Sequence, residues 1–419
     1  MRRGLRFSAM LGALAALCAC GGAGPAGTMA WPMYQNGTTH NAIVASSLPG
    51  VSWSRDLHAK INGGLAYDGV RLFAVDFDRK LTALDPQTGR ILWQSGGDDV
   101  LMSTPIVAEN LVFVGSGTNA VMWDRPSGTV WGRPAGNHWY AFDAASGRLK
   151  WSLPEAGEAM PSAAYDSGRL IFATGDDVAT AVLASSAAPL WKTAIPGVPM
   201  MSSAMVANGM VFLLATGGKS LNGNPDRGHT LALRAADGKV VWSAPYGVSD
   251  CTPAIAQGLV FVSGEFDGPV GPLEAYGRND VSALDENTGA LRWRYVSSPG
   301  FYSAVGSNER AITGTYDGGT LYQPIEATSQ MIAFRASDGT IRWQMHTMGP
   351  VKMSPLVYRG KLYFGDTAGM FYVLDAATGT PLAAYPYGKP FTTSPPLVVG
   401  GTLFVADTDT IHAIPLSKL

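Results

Sequence analysis

Charge is scarce in this chain. Charged residues fill 15% of its 419 positions and the formal net charge is −2, where an ordinary soluble protein carries roughly 25%. No basic block occurs, so a nucleic-acid partner has no electrostatic footprint to bind and none is expected. Cysteine is scarcer still. Of three in all, Cys18 and Cys20 lie in the first twenty residues and Cys251 stands alone beyond them. A lone thiol excludes an internal disulfide. Catalysis through it would need a neighbouring base, and strand alternation turns its side chain away from that of Asp250, so Cys251 reads as a small buried apolar residue. The six histidines, His40, His58, His138, His229, His346 and His412, have no metal-binding spacing, and no EF-hand, P-loop or G-x-S-x-G motif appears. No metal site is expected. Long apolar runs are absent too: the longest, at 8–17, is too short to span a bilayer.

What the chain has in quantity is glycine, 51 residues, and it is placed periodically. Residues 354–385 show the unit. Short β-rich runs at 355–358, 361–366 and 370–376 are separated by turns at Arg359-Gly360 and Thr367-Ala368-Gly369, then closed by Ala377-Thr378-Gly379 and a fourth run at 381–385. This is a four-stranded antiparallel meander, which cannot bury both faces alone, so copies should stack. Copies of the last two strands end at Trp93, Trp151, Trp242, Trp293 and Trp343, with a weaker copy at Trp191 and a fragment at Trp53. A spacing of about forty to sixty residues suits one propeller blade. The fragment at 51–57 looks like the outer strand of a blade whose other three strands are 394–399, 402–407 and 410–416. The expectation is therefore an all-β fold: an eight-bladed β-propeller of four-stranded antiparallel blades, its ring closed by the N-terminal strand pairing with the last blade.

The organisation divides into a leader at 1–20, a tether and irregular lead-in at 21–50, and a single propeller domain at 51–419. Arg2, Arg3 and Arg6 precede the apolar run of the leader. Its end, Leu17-Cys18-Ala19-Cys20-Gly21, resembles a bacterial lipobox, which implies a lipidated Cys20 and an outer-membrane-tethered, periplasm-facing protein. Insertions between second and third strands are read at 117–137, 216–228, 265–278 and 316–329. In a meander these loops share a face with the fourth-to-first connections, so all should cap one end of the channel, where function tends to sit. Aligning the blades on their first strands places Ile61, Met102, Met160, Met201, Asp250, Phe301, Lys352 and Thr392 at that rim. Met102, Met160 and Met201 offer a polarisable surface, which with Phe301 makes a candidate ligand-binding set. Asp250 and Lys352 are candidate catalytic groups if the protein is an enzyme, or a mutual ion pair if it is not.

The recurring D-x-x-T-G-x-x-x-W motif, over nearly the whole mature chain, resembles the pyrroloquinoline-quinone (PQQ)-type repeat. That repeat is shared by quinoprotein alcohol dehydrogenases, the outer-membrane assembly lipoprotein BamB and tetrathionate hydrolases. It implies the eight-bladed ring but no particular activity. Quinoprotein dehydrogenases set an adjacent cysteine pair over their cofactor; Cys251 stands alone, so no PQQ cofactor is expected. The resemblance to BamB rests on size, lipobox and minimal blades, with Asp250-Cys251-Thr252-Pro253 similar to its docking acid. It implies a binding or assembly scaffold with an outer-membrane barrel assembly component as partner. The alternative is a capped-channel enzyme acting on a small-molecule ligand at the channel mouth, of the tetrathionate-hydrolase kind, or a quinone-dependent dehydrogenase.

Overall fold

The computed structural model describes residues 29–61, 63–117, 122–124, 129–131, 136–197, 199, 201–215, 228–247, 251–265, 276–301, 312 and 314–419. They form eight sheets arranged as blades, six of four strands and two of five, antiparallel throughout except for one short parallel strand added to the last blade. The first blade shows the plan. Ala66–Tyr67 is innermost, then Leu72–Val75, Lys80–Leu84 and, outermost, Ile91–Gly96. The two middle strands are almost wholly buried, whereas outer strands such as Leu149–Pro154 and Pro381–Pro386 alternate in exposure, as expected where one face meets a neighbour and the edge meets water. Ring closure is as expected: Trp53–Asp56 pairs antiparallel with Thr410–Pro415, so the first regular strand completes the last blade.

Neighbouring blades are joined by one repeated contact. The indole Nε1 of each outer-strand Trp donates to a carbonyl of the following blade: Trp53 to Pro86, Trp93 to Ala144, Trp151 to Ala184, Trp191 to Ala235, Trp242 to Glu286, Trp293 to Ala336 and Trp343 to Ala376, all at 2.8–3.2 Å. The ring lies flat on the glycine of that blade's last turn. A Cβ on Gly289, for example, would sit 2.6 Å from Trp242 Cε3, and its φ is +70°. Turn shape and Trp packing thus both demand glycine there. The weaker repeat that ends at Trp191 departs from this rule, since Ala187 takes the left-handed conformation, with φ +58°.

One blade differs in register from the expectation. Residues 316–329 are not an insertion. Thr315–Asp317 is the innermost strand of the sixth blade, Gly318 and Gly319 make its turn, Thr320–Ile325 is the second strand, and a short 3-10 turn at Glu326–Thr328 leads to the third at Gln330–Arg335. The Gly-Gly step looks like loop sequence but is a hairpin turn with φ of +50° and +84°. The other three insertions do fall between second and third strands, after Gly117, Ala215 and Glu265.

The turn chemistry yields a paired prediction. Ala187→Gly should raise thermal stability by roughly 1 kcal/mol, because it relieves a left-handed alanine. Gly289→Ala should lower it by more than that, because strain and overlap with Trp242 act together. Thermal unfolding of the two variants beside wild type checks both signs.

Candidate functional site

The lead-in builds one end of the site. Although its sequence has no strand period, it runs inside the ring and makes a circuit of the innermost strands. Met29 N–H donates to Asp68 O; Trp31 and Val107 exchange both main-chain bonds; and Tyr165 donates to Pro32 O. Met33 packs against the core shared by the third and fourth blades. Ile255 N–H then donates to Thr38 O, Tyr316 to Thr39 O, Val357 to the Asn41 side chain and Val398 to Ala42 O. Finally Ile43–Val44 adds a parallel strand inside the last blade. The lead-in, placed by sequence outside the propeller, is therefore a plug across its channel. Its bonds satisfy inner-strand amides that would otherwise face the channel.

On the side of the plug toward the fourth-to-first connections lies a small, half-open cavity, with Tyr34 of the plug on its lining. Around it runs a belt of hydroxyls from five blades, Thr104, Ser162, Ser203, Thr252 and Ser354, each two residues ahead of its blade's innermost strand. Thr104 Oγ1 accepts the Gly64 N–H at 2.8 Å, Ser162 Oγ accepts that of Thr104 at 2.8 Å, Ser203 Oγ that of Ser162 at 3.0 Å, and Thr252 Oγ1 that of Ser203 at 3.1 Å. Ser354 continues the lining, 3.4 Å from the Tyr34 hydroxyl. The residues just before the belt turn into the blades. Ser103, Ser202, Cys251 and Met353 accept the N–H groups of Gly115, Leu214, Ser263 and Gly365. Cys251 is fully buried, and its sulfur does a serine's structural work. Alternation along one strand explains both rows.

Met102, Met160 and Met201, expected at the rim, all line the cavity. Lys352 does not lie on its lining. It is fully buried, with Nζ 3.4 Å from Glu326 Oε1. Glu326 was hidden from sequence reasoning because it fell in the stretch read as an insertion. Phe301 needs a correction of register. Gly300–Phe301 pairs with Tyr276–Gly277, well ahead of the true innermost strand at Thr315–Asp317, and Ile312 reaches the cavity instead. At the ring seam Thr393 lines the cavity, while the Thr392 hydroxyl donates to Ile61 O. Asp250 and Cys20 lie outside the described residues. The belt and Tyr34 were missed: the Ser-Pro and Ser-Ala steps served only as alignment marks, although a hydroxyl recurring at one blade position was the available signal. Among the described residues no His, Cys, Asp and Glu cluster could hold a metal.

Behind Tyr34, edge-on to its ring at 5.1 Å, sits His40, fully buried and with a left-handed backbone, φ +55°. Burial pulls its pKa down from 6.5 to about 3, and the nearby main-chain groups of Gly314 and Pro253 offset only part of this. The fold therefore favours the neutral ring. Its contribution to stability is complete above pH 6.5 and is lost as the pH falls from 6.5 toward 3. Acid unfolding should steepen through that window by about 1.4 kcal/mol per pH unit, and His40→Gln should flatten the slope. Denaturant titrations at stepped pH measure it.

Comparison with known proteins bears on the family. The profile described as outer membrane protein assembly factor BamB matches residues 43–163, 140–268 and 277–408. Tetrathionate hydrolase of Acidithiobacillus ferrooxidans is 27% identical over 93% of this chain and 79% of its own length. BamB of Yersinia pestis is 23% identical over 83% of each. Among solved structures, BamB from Moraxella catarrhalis superposes with a TM-score of 0.61 at 16% identity, covering 86% of this chain and 95% of that one. A quinohemoprotein alcohol dehydrogenase from Comamonas testosteroni gives 0.65 at 13% identity, covering 92% and 80%. These structures share the fold.

Proposed function

Because this chain belongs to the PQQ-type repeat family described as outer membrane protein assembly factor BamB, we propose that it is a cell-envelope propeller that works through its cavity, as a hydrolase of the tetrathionate-hydrolase kind. One observation carries this reading. The channel is plugged by the lead-in, and what remains is a cavity of mixed hydroxyl and apolar lining on the insertion side, onto which side chains from successive blades converge. A docking scaffold has no need of such a cavity, whereas small-molecule chemistry does. The similarity to tetrathionate hydrolase over nearly the whole chain supports the same choice.

In the proposed reaction a water molecule attacks a central sulfur of tetrathionate. The central S–S bond breaks, thiosulfate leaves with the bonding pair, HO–S–SO3⁻ remains, and one proton goes to a carboxylate. Asp250, two residues ahead of the cavity-lining Thr252, is our candidate for that base. Lys352, tied to Glu326, is assigned a structural role in the wall. Met102, Met160 and Met201 hold the sulfur chain. We route no step through a quinone. A flat tricarboxylate would want stacking surfaces and several cations, and the described lining offers one aromatic ring, Tyr34, and no cationic side chain. The leader and Cys20 support tethering at the outer membrane.

Purified protein should consume tetrathionate and release thiosulfate. Asp250→Asn should cut the rate at least a hundredfold while leaving thermal unfolding unchanged. No turnover from acid to neutral pH would sink the hydrolase reading. The family match itself favours a second reading, an assembly scaffold. On that reading, affinity capture from detergent-solubilised envelopes should instead return an outer-membrane barrel component in stoichiometric amount, with Asp250→Asn affecting docking and no chemistry.

A further inference from the structure

The hydroxyl belt has a property that its hydrogen bonds create. A serine or threonine hydroxyl has one proton to donate and lone pairs to accept with. In Thr104, Ser162 and Ser203 the oxygen accepts an N–H from the preceding blade. Among the described residues no protein group takes the hydroxyl proton of these three. All three line the cavity, so the blades fix the oxygens and leave the protons to point at whatever enters. Backbone donation into each oxygen also polarises its O–H bond. The described lining carries no carboxylate to repel an anion. Each of these three is preceded, two positions earlier and toward the connections that enter the blades, by a lining methionine: Met102 with Thr104, Met160 with Ser162, Met201 with Ser203. Three consecutive blades thus pair an oriented O–H donor with a polarisable thioether.

We propose that this arc is a receptor for a sulfur oxoanion bearing a divalent-sulfur chain, its sulfonate oxygens on the Thr104, Ser162 and Ser203 hydroxyls and its chain sulfur against Met102, Met160 and Met201. Neutral, pre-aligned donors bind a tetrahedral anion without a counter-charge, at the low cost of groups that need not reorganise. The inference rests on the hydrolase reading for its class of ligand, but it concerns binding, which is measured without turnover.

The test is calorimetric titration of the purified full chain with sodium thiosulfate, sodium sulfate and sorbitol. Wild type should bind thiosulfate, bind sulfate more weakly because it lacks the outer sulfur, and ignore sorbitol. Ser162→Ala and Ser203→Ala should each weaken thiosulfate binding about tenfold or more, the effect of losing a hydrogen bond to a charged group. Met160→Leu leaves every belt bond in place and should erase the preference for thiosulfate over sulfate. Absence of thiosulfate binding by wild type overturns the proposal, as does unchanged affinity in serine variants that unfold at the wild-type temperature. If the serine variants do not fold, Met160→Leu decides: a retained preference overturns the receptor, and a lost one supports it. The two readings fail separately. Thiosulfate binding that depends on the belt, without tetrathionate hydrolysis, removes the hydrolase alone. Hydrolysis with thiosulfate affinity unmoved in the serine variants removes the receptor alone.

Discussion

The structure depends on an indole ring resting on a glycine. At most blade junctions a Trp of one outer strand covers a left-handed glycine in the next blade's turn and ties its Nε1–H to that turn's carbonyl. The contact is apolar, directional and dependent on positive φ all at once, so each requirement excludes most substitutions. Truncating one such Trp would cost roughly 3–5 kcal/mol, a large part of the stability of any protein. Because the ring is closed, no junction can loosen without straining the others, and the channel at the centre inherits its diameter from these welds. The belt depends on this: a Ser203-to-Thr252 hydrogen bond at 3.1 Å exists only if adjacent blades keep their spacing.

Legibility in the sequence followed how local each feature is. Blade number, turn glycines and the closing strand at Trp53–Asp56 were readable because each is a short-range pattern repeated many times. The methionines of the cavity were readable for the same reason, since they hold one position relative to the innermost strand. The sixth blade was misread because Tyr302-Ser303-Ala304 imitates the first-strand signature and the Gly318-Gly319 turn imitates a loop. Local pattern cannot choose between two such registers; pairing of Thr315–Asp317 with Thr320–Ile325 does. Glu326 as the partner of Lys352 followed from that register and was lost with it. The plug was invisible for a different reason. Segment 29–44 earns its place by bonding to strands up to several hundred residues away, and nothing in its own composition announces it.

The cavity owes its character to two rows on one short strand approach. Residues such as Ser103, Ser202 and Cys251 point into the blade and hold its second strand; the next residues, Thr104, Ser203 and Thr252, point into the channel and reach across to the neighbouring blade. Structure and recognition are therefore divided by parity alone. Cysteine is tolerated in the first row because a sulfur can accept an N–H in a dry setting. In the second row the proton matters as much as the oxygen.

The circuit of the lead-in has a consequence for how the molecule is made. Segment 29–44 is synthesised before any blade, yet its partners include Val398 and Gly400, more than 350 residues later. Blades are mostly local hairpins and can form in order, but the drawstring cannot be tied until the final one exists. Assembly must thus end on a very long-range closure, the slowest class of step for a chain of this kind. Until then the inner strands are open edges. At the seam between the seventh and eighth blades, where Ala383 stands at the Trp position, the carboxy-terminal residues act as the clasp: Lys361 Nζ and the Tyr385 hydroxyl both hold carbonyls of the last two residues. The ring is thus fastened inside by segment 29–44 and at this seam by Lys418 and Leu419, and without the former the blades would remain a stack without a bottom to their well.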